Sequence, residues 1–197
     1  MITETIISTI LAYLIGSLSS SVLIAKAFGL PDPREIGSKN PGATNMLRIG
    51  GKKIGFMTLF FDAFKGFLPV FVAPYFGLTG LALNGLMMAV FLGHLFPLFF
   101  GFKGGKGVAT ALGALLGLDF RIGLAVLGIW IGIAFIWRYS SLASLLAAAF
   151  SPVLIFVFKP DLIYAGLFMA ICILIAHKGN IQRLLGGQEP RLGSKKT

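Results

Sequence analysis

Residues 107–158 read GVATALGALLGLDFRIGLAVLGIWIGIAFIWRYSSLASLLAAAFSPVLIFVF, and only Asp119, Arg121 and Arg138 in them carry charge. They divide the stretch into apolar runs at 107–118, 122–137 and 141–158. Runs of this kind suit a bilayer, where a backbone without water must satisfy its own hydrogen bonds by forming helices. One helix from 107 to 137 would hold about 31 residues and reach about 46 Å at 1.5 Å per residue. It would also bury Asp119 and Arg121 near the bilayer centre, where charge is costly. The reading is therefore two short helices joined at Asp119-Phe120-Arg121.

The remainder repeats the pattern, with apolar stretches at 2–29, 54–76, 79–100 and 161–176. Most approach the roughly 20 residues that cross a hydrocarbon core of about 30 Å. Of the 197 residues 56% are hydrophobic and 12% charged, half the charge of about 25% usual in soluble domains; the mean hydropathy is +0.90. A water-soluble enzyme is excluded. The expectation is an all-α integral membrane protein of about seven transmembrane helices, in a single membrane-embedded domain over 1–197. The longest loop, 30–53, is too short for a soluble domain, and 185–197 read as a polar, partly flexible tail. The first segment has no basic start and no small-residue cleavage site, so it is not read as a removable signal. Cys172, the one cysteine, forms no internal disulfide and reads as a small buried apolar residue.

Lys and Arg number 17 against 7 Asp and Glu. That excess fits topology, anionic lipid or an anionic substrate, and composition does not separate these. Its distribution is informative. With the N-terminus outside, 13 of the 17 basic residues fall in inside segments, two (Arg121 and Lys159) fall outside, and Lys26 and Lys65 lie within apolar stretches. Cytoplasmic loops collect Lys and Arg, so the N-terminus is placed outside and the C-terminus in the cytoplasm.

Chemistry-bearing residues gather in those inside segments. Residues 37–48 bring the donors Ser38, Asn40, Thr44 and Asn45 together with Lys39 and Arg48 around turns at Gly37, Pro41 and Gly42. Several neutral donors with a positive charge suit an anion; the plain alternative is an ordinary membrane loop. Residues 101–110, Gly-Phe-Lys-Gly-Gly-Lys-Gly-Val-Ala-Thr, open the fourth helix. Glycines 104, 105 and 107 let backbone N–H groups converge on phosphate at a helix N-terminus, and Lys103 and Lys106 add full charge. The pattern is not a Walker loop, and the plain alternative is a hinge with topogenic lysines. Ser141 follows Arg138-Tyr139-Ser140 at the next inside boundary and is a further binding candidate. His177 and Asn180, three apart, share a face if the last helix continues, and an imidazole there could take or hold a proton. His94 reads as a hydrogen bond between helices, and Asp62 with Lys65, three apart, as a structural ion pair. Two histidines, one cysteine and scattered carboxylates suggest no metal, and basic loops against a bilayer suggest no nucleic acid.

Three stretches now carry a resemblance: Gly-Ser-Lys-Asn-Pro-Gly-Ala-Thr-Asn (37–45), Gly-His-Leu-Phe-Pro followed by Phe-Lys-Gly-Gly-Lys-Gly-Val-Ala-Thr (93–110), and His-x-x-Asn-Ile-x-Arg-Leu-x-x-Gly-x-Glu (177–189). In order and over the whole chain, they resemble the motifs of the bacterial acyl-phosphate:glycerol-3-phosphate acyltransferases, the PlsY family. The resemblance implies transfer of a fatty acyl group from acyl phosphate to the 1-hydroxyl of glycerol 3-phosphate, giving lysophosphatidic acid and phosphate. It implies a multi-pass protein of the bacterial cytoplasmic membrane, active at the cytoplasmic face and without a cofactor; the expectation for the active form is a monomer. Residue by residue it gives Ser38, Arg48, Lys106, His177 and Asn180 catalytic roles. It places Gly104, Gly105 and Gly107 on phosphate and assigns Glu189 to integrity, while Asn40, Thr44, Asn45, Lys103 and Ser141 are substrate- or phosphate-binding candidates from the residues themselves. An acyl phosphate carries its own leaving group, so no protein nucleophile is needed; whether His177 or the departing phosphate takes the proton stays open. Two rivals remain, a transporter of a phosphorylated solute and a scaffold binding anionic lipid. Sites at one face, and not the midplane, speak against the first. The second leaves Ser38, Asn40, Asn45 and Asn180 without a task.

Overall fold

The structure, a computed structural model, describes residues 2–193. Nine α-helices and no strand occur among them: α1 (Ile2–Gly16), α2 (Ser20–Ala27), α3 (Ala43–Val72), α4 (Gly80–Leu95), α5 (Val108–Leu118), α6 (Phe120–Trp137), α7 (Ser140–Phe158), α8 (Ile163–Ala176) and α9 (Lys178–Leu185). Four apolar helices are long enough to cross a membrane, and up to six spans result if each of two bent pairs counts as one. Large side chains such as Phe56, Phe135 and Ile175 stand outward and exposed, as a lipid-facing surface requires.

The break read at Asp119 is present. Asp119 caps α6, its carboxylate accepting the Arg121 backbone N–H at 2.9 Å and pairing with the Arg121 guanidinium at 2.7 Å. Two other expectations are corrected. The stretch 2–29 is not one helix: α1 and α2 meet at 44° across Ser17-Leu18-Ser19. Serine side chains compete for backbone hydrogen bonds and weaken a helix there. The expected loop 30–53 is largely helical from Ala43 onward, so Thr44, Asn45 and Arg48 sit on the first turns of α3. Gly42 caps them, and the kink falls at Gly51 (φ 80°).

Small residues set the packing. A Cβ on Gly113 of α5 would overlap the Ala63 carbonyl of α3, and one on Gly66 would overlap the Thr110 carbonyl in return. Gly16 and Gly93 bring α1 and α4 equally close. Such approach is how membrane helices gain dispersion contact without a hydrophobic drive between them. Around these seams, Val70, Met87, Val90, Phe91, Ala114, Ile122, Ile155 and Met169 form one buried core.

The tight seam predicts that Gly113→Ala lowers stability by about 1–3 kcal/mol, since a backbone carbonyl cannot yield as a side chain does. Gly128→Ala, where a Cβ meets open space, should leave Tm in detergent unchanged or slightly raised. Tryptophan fluorescence during heating reads both. An unshifted Gly113→Ala would refute the contact.

Candidate active site

Four separated pieces of chain meet at one end of the bundle. The first is residues 33–45. Asn45, buried at the start of α3, accepts the Ser38 backbone N–H at 3.0 Å through Oδ1 and donates to the carbonyls of Pro33 (2.9 Å) and Ile36 (3.1 Å). Its amide is thus spent on shaping the loop. Thr44 Oγ1 lies 3.2 Å from Ser140 Oγ, tying this loop to the start of α7.

The second piece is 101–107. Gly107 (φ 82°) takes a left-handed conformation that a side chain would strain, and a Cβ there would strike the Phe91 ring. The Gly105 N–H donates to the His94 carbonyl at 3.2 Å, and a Cβ on Gly105 would meet the His94 ring and approach the Pro41 carbonyl. The loop therefore lies flat between the end of α4 and the first loop, and delivers Lys106 half-buried.

The third and fourth pieces are the α8–α9 hinge and the segment that follows. The pair bends by 58° at His177. Lys106 Nζ donates to Asn180 Oδ1 in a short hydrogen bond. Asn180 Nδ2 donates to Glu189 Oε1 at 2.6 Å, and Arg183 Nε to Glu189 Oε2 at 2.7 Å. Ser141, buried at the start of α7, has a hydroxyl near enough to Glu189 to favour its charged form, yet without hydrogen-bond geometry. Residues 188–193 then fold back on the α6–α7 turn. The Leu192 N–H donates to the Arg138 carbonyl at 2.6 Å, and Arg138 Nη2 donates to the Leu192 carbonyl at 3.0 Å. Of the tail expected to be partly flexible, 194–197 lie outside the described residues.

The electrostatics follow from this enclosure. Burial, then the charge of Arg183, pushes Lys106 below its ordinary value, against the pull of Glu189. Burial raises Glu189, but Ser141, Asn180 and Arg183 together outweigh it and keep the carboxyl ionised. His177, 4% exposed and just beyond the end of α8, is pushed down to about 4, by burial first and then by Lys106. Its Nδ1 lies 2.8 Å from the Ile173 carbonyl. A carbonyl only accepts, so Nδ1 carries the proton and Nε2 keeps its lone pair.

The sequence matches the family described as "Glycerol-3-phosphate acyltransferase" over residues 6–187. It is 50% identical to glycerol-3-phosphate acyltransferases of Methylococcus capsulatus, over 94% of each chain, and of Burkholderia vietnamiensis, over 98% of this chain and 93% of that one. The chain belongs to the glycerol-3-phosphate acyltransferase family. Its fold agrees with the crystal structure of the integral membrane glycerol 3-phosphate acyltransferase PlsY in its glycerol 3-phosphate form. The TM-score is 0.91, with 41% identity and 96% of each chain covered. Against the lysophosphatidic acid form of PlsY it is 0.88, with 40% identity and the same coverage.

In this family member, Lys106, Asn180, His177 and Ser141 gather around Glu189 through hydrogen bonds or charge, and Gly104, Gly105 and Gly107 belong to the loop that carries Lys106. Ser38, Lys103 and Arg48 are exposed, and none has a side-chain partner among the described residues. Asn40 lies beside Gly42 at the turn, and Thr44 is engaged with Ser140. The sequence reading passed over Arg183, which anchors Glu189. Its place three residues after Asn180, on the same helix face, was the available signal.

Because the folded ring sits at about 4, His177 should remain neutral, with its proton on Nδ1, from neutral pH down to nearly that value. Nitrogen NMR of histidine-labelled protein, with His177→Asn for assignment, reads both. A midpoint near 6.5 would mean the ring is open to water.

Proposed function

We propose that this chain transfers a fatty acyl group from acyl phosphate to the 1-hydroxyl of sn-glycerol 3-phosphate, releasing lysophosphatidic acid and inorganic phosphate for phospholipid biosynthesis. The observation that carries the reading is the Lys106–Asn180–Glu189–Arg183 chain, which joins a glycine-rich helix start to the hinge bearing neutral His177. Both substrates are phosphorylated, and here a cation and backbone N–H groups stand beside an amide and an imidazole lone pair. That combination suits one anion beside one hydroxyl.

The glycerol hydroxyl oxygen attacks the acyl carbonyl carbon, and the bond from that carbon to the phosphate oxygen breaks. Lys106 and the loop N–H groups neutralise charge growing on the leaving phosphate and the carbonyl oxygen. Exposed Arg48 and Lys103, with Ser38 and Asn40, draw in and seat the anions. Thr44 and Asn45 act by holding the first loop, and Ser141 offers a buried hydroxyl to substrate. His177 Nε2 accepts the attacking hydroxyl's hydrogen bond. An imidazole held at about 4 does not keep a proton at neutral pH, whereas an acyl phosphate dianion departs as a strongly basic phosphate trianion, so the hydroxyl proton ends on the departing phosphate. No cofactor enters the step.

The same reading has one membrane-embedded domain, active as a monomer in the bacterial cytoplasmic membrane. It has seven crossings with α5 the short one, the N-terminus outside, and the site and C-terminus on the cytoplasmic side. The charge asymmetry supports that orientation.

Purified protein given glycerol 3-phosphate with acyl phosphate should form lysophosphatidic acid and phosphate in equal amounts. Product from acyl-CoA alone would overturn the donor. No product from either, with solute flux in sealed vesicles, would replace the enzyme by a transporter. Lys106→Met should lower kcat/KM by about 100-fold or more with Tm retained, and His177→Ala should raise KM for glycerol 3-phosphate. Unchanged kinetics in either variant would remove its assigned role.

A further inference from the structure

Asp62, Lys65 and His94 lie outside the chain of contacts described above, yet they are buried together at 2%, 6% and 7% exposure. Lys65 Nζ lies 2.8 Å from Asp62 Oδ1 on α3 and donates to the Leu18 carbonyl, at the α1–α2 break, at 2.7 Å. The same carboxylate oxygen faces His94 Nδ1 of α4 at 3.6 Å, too long for a hydrogen bond. A simple ion pair within α3 would not need the imidazole. The other edge of that ring explains its presence. His94 Nε2 and Cε1 occupy the space a Cβ on Gly105 would take, and the His94 carbonyl accepts the Gly105 N–H at 3.2 Å. Gly104 is pressed in the same way against the carbonyls of His94 and Leu95. The loop thus rests on His94 by both ring and backbone, one residue before Lys106.

We propose that His94, seated beside the Asp62–Lys65 pair, is a positioning residue that fixes the height and orientation of the glycine-rich loop, and through Gly105 the placing of Lys106. The idea rests on the role proposed for Lys106. The buried pair would otherwise be a costly way to join helices. A displacement of about 1 Å in a reacting group can cost about 100-fold in rate, so a rigid support under the loop has a catalytic consequence.

The test uses the full chain in detergent. His94→Asn keeps a polar atom near the Nδ1 position, toward Asp62, but removes the ring edge beneath Gly105. It should keep Tm close to wild type while lowering kcat/KM roughly 10–100-fold, with KM for a phosphorylated substrate raised as well. Partial unfolding would reduce kcat alone. Gly105→Ala leaves the buried cluster intact and should be at least as damaging. The kcat/KM of His94→Asn/Gly105→Ala should stand about fivefold or more above the value that multiplying the two single losses gives, because the new methyl enters the space the ring has left. Hydrogen–deuterium exchange gives a readout independent of catalysis: the 103–107 amides should exchange faster in His94→Asn than in wild type. Unchanged exchange there, or strictly multiplicative variants, overturns the positioning role even in an active enzyme. Faster exchange in a protein whose wild type turns over nothing leaves the support in place and overturns the proposed function instead.

Discussion

A helix that stops within reach of hydrocarbon leaves carbonyls that no water can satisfy, and several breaks in this bundle are closed by a donor from outside the helix that ends there. The Leu18 carbonyl receives Lys65, the Phe96 carbonyl receives the Tyr13 hydroxyl at 2.7 Å, and the His94 carbonyl receives the Gly105 N–H. The Phe100 carbonyl receives Arg34, the Ile173 carbonyl the His177 ring, and the Arg138 carbonyl the Leu192 N–H. At the opposite end the Asn84 amide joins Gly80 and Asp161 carbonyls to the Ala165 N–H. Several of the long-range hydrogen bonds therefore fall at helix breaks.

This requirement also shapes the site. His177 owes its tautomer to a carbonyl at the end of α8, so the group that leaves Nε2 free is the one that satisfies the hinge. The glycine-rich loop satisfies the end of α4 and in doing so sets Lys106. Asn180 is engaged on both sides of its amide, by Lys106 and by Glu189, which fixes which face of it remains open. In a polar network of this kind the members hold one another, and losing one leaves a buried group unpaired. Structural and chemical roles coincide at these positions because few polar groups are present to serve both.

Much of this was legible in the sequence where burial and charge alone decide. The Asp119 break followed from the cost of charge at the bilayer centre, and the three motifs lie at one end of the bundle. Hydropathy did not reveal the α1–α2 break, because Gly16-Ser-Leu-Ser is apolar enough to pass as helix while Lys65, 47 positions along, supplies the missing donor. The helical start of α3 was hidden by polar residues that resemble a loop. Thr44, Asn45 and Arg48 take helical form because Gly42 caps them and Asn45 has partners in 33–38. Arg183 was passed over since its partner, Glu189, comes near only after the chain turns back. Periodicity reports which face is apolar; it does not report which distant group completes a broken backbone.

Helix lengths give the site its depth. The α5–α6 turn at Asp119 stands level with the start of the 159–162 turn, since the Arg121 guanidinium lies 4.8 Å from the centre of the Phe158 ring. From that level α6 and α7 run 18 and 19 residues to Arg138-Tyr139, about 27 Å. α5 has 11 residues and α8 has 14, so they rise only about 16 and 21 Å. The two helices that present Lys106 and His177 are thus both shorter than α6 and α7, and Glu189 on the returning segment bonds to Asn180 beside them. On the proposed topology a water-soluble phosphate can reach that end of the bundle, and an acyl carbonyl can meet it there without leaving the leaflet. On the proposed function, short helices at this end of the bundle are what would let one site serve two substrates of opposite solubility.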